Sequence, residues 1–202
     1  MKSRGLLIAL VVVGAIVVVV MGFVLWGVGV YNKIVSLDEG VQSAWSQVEN
    51  QYQRRAELIP NLVETVKGFA AQEKTVLLGV TEARAKVSQI TVTKEVLEDP
   101  NAFSRFQAAQ DQFSSAISRL LAVTENYPQL KSNENFLALQ NQLEGTENRI
   151  AVERRNFNQV VQMYNTTLRR VPGSMVAGFG GFREKQYFKA KEGAETAPQV
   201  KF

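Results

Sequence analysis

Two hydrophobic patterns divide the chain. From Leu6 to Val30 no charged residue and no proline interrupts an apolar run rich in Val, Leu and Ile. As a helix rising about 1.5 Å per residue it extends roughly 37 Å, more than the ~30 Å hydrocarbon core of a bilayer, and tilt absorbs the excess. The pattern then changes. Apolar positions recur by alternating steps of three and four through Trp45, Val48, Tyr52, Arg55, Ile59, Leu62, Val66, Phe69, Glu73, Val76, Val80, Ala83, Val87 and Ile90. That spacing predicts an amphipathic helical face. Pro60, which has no amide hydrogen, and Gly68 interrupt it. The unbroken phase favours one kinked helix, and a break at either residue gives two packed helices.

Ser88 to Glu98 loses the pattern and reads as a connection. Asp99-Pro100 has the form of an N-cap followed by proline at the first helical position. The next helix places Phe103, Phe106, Phe113, Ile117, Leu120 and Leu121 on one face, and Asn126-Tyr127-Pro128 ends it. Ser132 or Asn133 can cap a last long helix whose stripe is Phe136, Leu139, Leu143, Thr146, Ile150, Phe157, Val160, Tyr164 and Leu168. Pro172-Gly173 is read as its stop. The expected organisation is a flank and transmembrane helix over 1–31, a helical body over 32–172, and a tail over 173–202 rich in Gly, aromatic and basic residues. The end of that tail, from Glu192, reads as disordered.

Lys2 and Arg4 precede the apolar run as in a secretory signal, but a signal's apolar region is only about 7–15 residues long. A retained anchor is therefore expected. Trp26 and Tyr31 sit where aromatic rings favour the membrane interface. The far flank holds only Lys33 as a basic residue before Arg54. By the positive-inside rule this places the body outside the cytoplasm, in a bacterial cell membrane crossed once.

Composition removes several chemistries. The chain has no His and no Cys. Imidazole bases, thiolate nucleophiles, His/Cys metal sites, disulfides and lipidated cysteines are excluded within it. Its net charge is +4, and with Lys2 and Arg4 set aside the remainder is nearly balanced. That is no nucleic-acid footprint. Glu144 and Glu147 stand three apart on a helix, a spacing too common on exposed helices to indicate acid–base catalysis. No enzyme and no cofactor is expected.

Arg55 and Glu73 occupy stripe positions where an apolar residue belongs. A charge on a packed face must be matched or it costs several kcal/mol. At 18 residues apart on a straight helix they are about 27 Å from each other and need other partners. The candidate polar network is Arg55, Asn61, Glu64, Glu73, Glu125, Glu147, Asn148 and Arg149. It reads either as an ion-pair network that sets helix register or as a polar pocket for a ligand or partner.

Tyr31-Asn32, Ala44-Trp45-Ser46, the run Arg54 to Val63 (RRAELIPNLV), Glu64 to Gly68, Ala83-Arg84, Leu121 to Pro128 (LAVTENYP), Thr146 to Ile150 and Tyr164-Asn165 resemble the LemA family, as does the Gly-Phe tail. The resemblance implies an all-α protein, an N-terminal membrane anchor followed by an antiparallel up-and-down bundle of four helices, with no known activity or cofactor. It also implies neighbourhood with membrane metalloproteases. Family descriptions often put the body in the cytoplasm, opposite to the charge rule. Four helices would return the chain near Val171 towards the membrane, where Phe179, Phe182, Tyr187 and Phe188 could insert. Alternatively these rings fold back and seal the bundle. The expected function is a membrane-anchored, non-enzymatic scaffold or adaptor of the cell envelope. Its partners would be membrane lipid, through the single N-terminal helix, and a second copy of the chain or other membrane proteins. The rival is a small-molecule or lipid-binding envelope protein using the polar network.

Overall fold

The computed structural model describes residues 2–189, with side chains from Leu10 onward. The expected disordered end from Glu192 lies outside the described residues. Those residues form seven α-helices and one 3-10 turn, with no strand among them. The helices are α1 (Lys2–Phe69), α2 (Lys74–Ser88), α3 (Lys94–Glu98), α4 (Pro100–Val123), α5 (Pro128–Lys131), α6 (Glu134–Arg169) and α7 (Gly173–Gly180). By its contacts the chain divides into two units, Met1–Val41 with Gln162–Glu184, and Gln42–Val161 with Lys185–Phe202.

In the first unit α1 begins as a lipid-like surface. Its stretch from Leu10 has a mean hydropathy of 2.8 with none of that window buried, and it is long and apolar enough to cross a membrane. Fully buried side chains begin at Ile34 and Val41, and Tyr164 and Leu168 of α6 and Ala177 of α7 are buried in the same unit. Helix α7 occupies the start of the segment that the sequence sets apart as a tail rich in Gly, aromatic and basic residues. Pro172-Gly173 ends α6 but also starts a new helix. A Cβ at Gly173 would lie 2.0 Å from the Thr167 carbonyl oxygen, so only glycine allows the corner. Gly181, in the left-handed region at φ 70°, closes α7.

In the second unit one core joins Ile59, Leu62 and Val66 of α1, Leu77, Val80 and Val87 of α2, Phe113, Ile117 and Leu120 of α4, Leu130 of α5, and Phe136 and Leu143 of α6. All but Leu77 and Leu130 are stripe positions, and burying each apolar side chain contributes about 1.5–3 kcal/mol. The expected caps form. Asp99 accepts from the amides of Asn101 and Ala102 at 2.7 and 3.2 Å, and Asn133 accepts from the Phe136 amide at 3.0 Å. The connection after Ser88 contains a short helix, α3, whose five residues are too few to show a period.

The single kinked helix favoured by the stripe is not what forms. α1 runs through Pro60 and ends at Phe69, and a turn over Ala70–Glu73 leads into α2. At the turn Ala70 and Leu77 are buried in place of Phe69 and Val76, and the stripe resumes at Val80 and Val87, because both helices face one core. Pro60 persists inside α1 because of a contact from α2. Proline leaves the Ala56 carbonyl, four residues earlier, without its helical donor, and the ring crowds it. The Arg84 guanidinium Nε–H donates to that carbonyl at 2.8 Å. A charged donor from the next helix thus replaces the missing backbone bond.

This substitution of one bond for another can be measured. Arg84→Met should cost about 1.5–3 kcal/mol in urea unfolding, as for a hydrogen bond from a charged group. With Pro60→Ala, which restores a backbone donor to Ala56, the same change should cost less by about 1 kcal/mol. Equal costs in both backgrounds would show that the Arg84 bond is independent of the proline.

Candidate functional site

Arg55 lies on the buried face of α1 in the second unit and is 1% exposed. Its Nη1 donates to Ser114 Oγ and to Glu147 Oε1, each at 2.8 Å, and its Nη2 donates to Gln110 Oε1 at 2.5 Å. The guanidinium carbon lies 5.2 Å from the Tyr52 ring centroid and 4.9 Å from that of Phe113. One cation therefore ties α1 to two successive turns of α4 and to α6. The Glu147 side chain is 38% exposed, so water screens the pair and its net contribution stays small. What the cluster supplies is register, because a one-turn slip would strand a buried guanidinium.

The matching is incomplete. Arg55 Nε and the Tyr52 hydroxyl are buried and make no hydrogen bond to protein. Beside them lies a cavity of about 160 Å³ lined also by Gln110, Asp111, Ser114, Glu147 and Arg154. It has room for water or a small inorganic anion and is below the roughly 300 Å³ of ordinary small-molecule sites. Burial pushes the Tyr52 phenol up to about 12, with Arg154 and Arg55 partly opposing.

Of the eight candidate network residues, Arg55 and Glu147 are in contact. Glu73 belongs elsewhere. It stands at the N-cap position of α2, and its carboxylate accepts from the Tyr127 hydroxyl at 3.1 Å while Gln72 donates to that hydroxyl at 2.8 Å. Partial burial and this carboxylate hold the Tyr127 phenol above its usual range. Glu73 is thus not a charge on a packed helix face, because the turn after Phe69 releases it from the stripe. Glu64 pairs with Lys67 at the surface at 3.4 Å. Asn61, Glu125, Asn148 and Arg149 are exposed, and the structure does not bring them to Arg55. Gln110 and Ser114 were missed. Gln110 carried the same signal as Arg55, a polar residue in the stripe between Phe106 and Phe113.

The tail residues separate. Phe188 is buried, 5.0 Å from Phe103, 5.5 Å from Phe157 and 6.1 Å from Trp45 between ring centroids. Its backbone exchanges two 2.9 Å hydrogen bonds with the Asn158 side chain, and Arg154 stacks on its ring at 4.4 Å. Phe188 is therefore core, a correction to its assignment as an interfacial residue; a ring with partners on several helices gains more there than at a surface. Lys185, one of the basic residues of the tail, is also buried and pairs with Glu98 at 2.7 Å. Tyr187 is 37% exposed. In the first unit Phe182 packs on Tyr31 with centroids 5.5 Å apart, and Phe179 is 96% exposed. There Arg169 makes two hydrogen bonds to Glu184, which hold that carboxyl below its usual range.

An apolar N-terminal helix joined to a helical body that is pinned by one buried arginine defines a class of protein with no visible catalytic centre among the described residues. Residues 44–202 match the LemA family, and the chain belongs to that family. It is 28% identical to magnetosome protein MamQ 2 of Paramagnetospirillum magneticum, over 96% of this chain and 76% of the relative. It is 28% identical to magnetosome protein MamQ of Magnetospirillum gryphiswaldense, over 84% of this chain and 70% of the relative. It is 23% identical to protein LemA of Metamycoplasma hominis, over 70% of this chain and 60% of that one. None of these names designates a reaction.

Two outcomes follow from the Arg55 cluster. Arg55→Ala should destabilise the protein by roughly 2–4 kcal/mol through the void it opens and the buried Gln110 oxygen it leaves unpaired, and Arg55→Met by the same or less, since it keeps the packed stem. A wild-type melting temperature for the alanine variant would mean the guanidinium carries no structural load.

Tyr52 predicts an alkaline effect with a definite sign. Its unfolded value is near 10 and its folded value about 12, so its contribution is complete below pH 10 and is lost as pH rises to about 12. The loss amounts to about 2–3 kcal/mol. Tyr52→Phe should remove that part of the alkaline slope and leave neutral stability nearly unchanged, because the hydroxyl makes no hydrogen bond. Denaturant titrations of both proteins across this window test it, and identical slopes would contradict the assignment.

Proposed function

We propose that the protein is a single-pass, membrane-anchored, non-enzymatic scaffold or adaptor of the bacterial cell envelope, working through helix-based association with a second copy or with other membrane proteins. The observation that carries this reading is one helix with two surfaces. From Leu10 to Val28 the large apolar side chains of α1 are exposed, and from Val41 its stripe is buried. Exposed side chains of that composition are stable only in lipid. In this reading the second unit is an up-and-down bundle of four helices. Ascending pairs such as Trp45 with Phe103 and Arg55 with Gln110, and descending ones such as Trp45 with Phe157 and Arg55 with Glu147, support it. A groove of about 790 Å³ along α2 and α4, edged by Glu82, Lys86, Asp111 and Arg119, suits a partner helix carrying charges of both signs. The basic residues before the apolar run favour an N-terminus in the cytoplasm and a body outside.

A second reading has its own observation. The polar groups converging on the 160 Å³ cavity beside Arg55 favour binding of a small polar ligand.

Three measurements separate these readings. Protease added to intact spheroplasts should digest the body, and full protection would reverse the orientation. Purification of the full chain from mildly solubilised membranes should recover a specific protein or a second copy, and recovery of the monomer alone in every detergent would reject the adaptor. Arg55→Met should retain that association. Its loss at normal stability would favour the ligand reading.

A further inference from the structure

The first unit carries an apolar feature that neither the anchor nor the core uses. Helix α7 has no charged residue, and its two faces differ. Gly173 and Ala177 are buried, whereas Met175 and Phe179 are 62% and 96% exposed, and Val171, four residues before Met175, is 75% exposed. Spacing by four within α7 aligns Met175 and Phe179 in one outward row, and Val171 lies outside the helix, in the turn that precedes it. At eight residues, roughly 12 Å, the helix is too short to span a bilayer.

Its surroundings indicate what covers that row. The apolar stretch of α1 ends at Val30, and Tyr31 is the next residue. The end of α7 rests on that residue. The Phe182 ring packs on Tyr31, and a Cβ at Gly180 would come within 3.2 Å of the Tyr31 ring and 2.6 Å of Phe182. Buried packing on α1 begins three residues later at Ile34. Within this unit α7 therefore lies at the level where α1 leaves its apolar stretch. Lys33, Arg170 and Arg183 of the same unit are exposed, and the acid Glu184 is engaged by Arg169. Outward aromatic and aliphatic side chains at that level, with flanking cations, match the boundary between anionic headgroups and acyl chains.

We propose that α7 is a second membrane contact, lying in the interface of the leaflet where α1 emerges, with Met175 and Phe179 inserted among the acyl chains. This rests on the reading that α1 crosses the membrane. It differs from attraction of the whole basic tail, because Phe188 and Lys185 are committed to the core of the second unit.

The absence of cysteine makes the test direct, since one cysteine introduced by substitution is the only labelling site. Full-length Phe179→Cys, Met175→Cys, Val18→Cys and Leu78→Cys variants would carry a nitroxide in vesicles of phosphatidylcholine with phosphatidylglycerol. Each replaced side chain is at least half exposed, so folding is preserved. Accessibility to oxygen, which partitions into lipid, is compared with accessibility to a water-soluble nickel chelate. Labels at 179 and 175 should show an oxygen-to-nickel ratio several-fold above that at 78 and below that at 18. A ratio at 179 equal to that at 78 would place the row in water and overturn the proposal. Low accessibility to both probes would mean protein covers it, with the same consequence. A water-like ratio at 18 would instead refute the anchor itself, so the two failures are distinguishable.

Discussion

A buried guanidinium cannot be left unmatched, and that requirement organises the body of this protein. Arg55 is enclosed by Tyr52 and Phe113 and reaches Gln110, Ser114 and Glu147 from a fixed point on α1. The apolar stripes would tolerate sliding by one turn, because Leu, Ile and Phe recur at the same spacing. The arginine would not, since its acceptors occur at one height only. Hydrophobic burial supplies most of the stability, and the polar cluster selects one register among near-equivalent packings.

Other parts of the structure follow the same logic of a local defect repaired from a distant element. Pro60 deprives Ala56 of its helical donor, and Arg84 of α2 provides another. The final described segment has no helix or sheet to join, so Gln107 and Asn158 pair with the backbone of Lys189 and Phe188 through their amide groups. Lys185 enters the interior because Glu98 is there to match it. Each repair couples residues far apart in the chain, so the packed state is specific although the helical stripes are generic.

Much of the architecture was legible. The long apolar N-terminal helix, the caps at Asp99 and Asn133, and most of the stripes of α1, α2, α4 and α6 follow from period, proline and short polar side chains. The candidate site was half legible. Arg55 declared itself as a charge in an apolar register, whereas Gln110, which carried a comparable polar signal between Phe106 and Phe113, was missed. Glu73 gave the same signal falsely, because the break after Phe69 removed it from the face it seemed to share. The tail was the least legible part. Phe179, Phe182 and Phe188 lie within ten residues of one another, yet the first is exposed, the second packs on Tyr31 and the third is core.

The sequence by itself determined the elements: where helices can run, which faces are apolar, and which charge must find a partner. These are properties of neighbours three or four residues apart, where helix geometry converts order along the chain into position in space. Only the tertiary structure decided the pairings. That Glu147 rather than Glu125 meets Arg55, that Arg84 serves the Pro60 gap, and that Phe188 is enclosed while Phe179 is bare depend on residues separated by tens of positions. No local period encodes such encounters. They are settled by the collective packing of several helices, in which a side chain is buried only if others arrive to cover it.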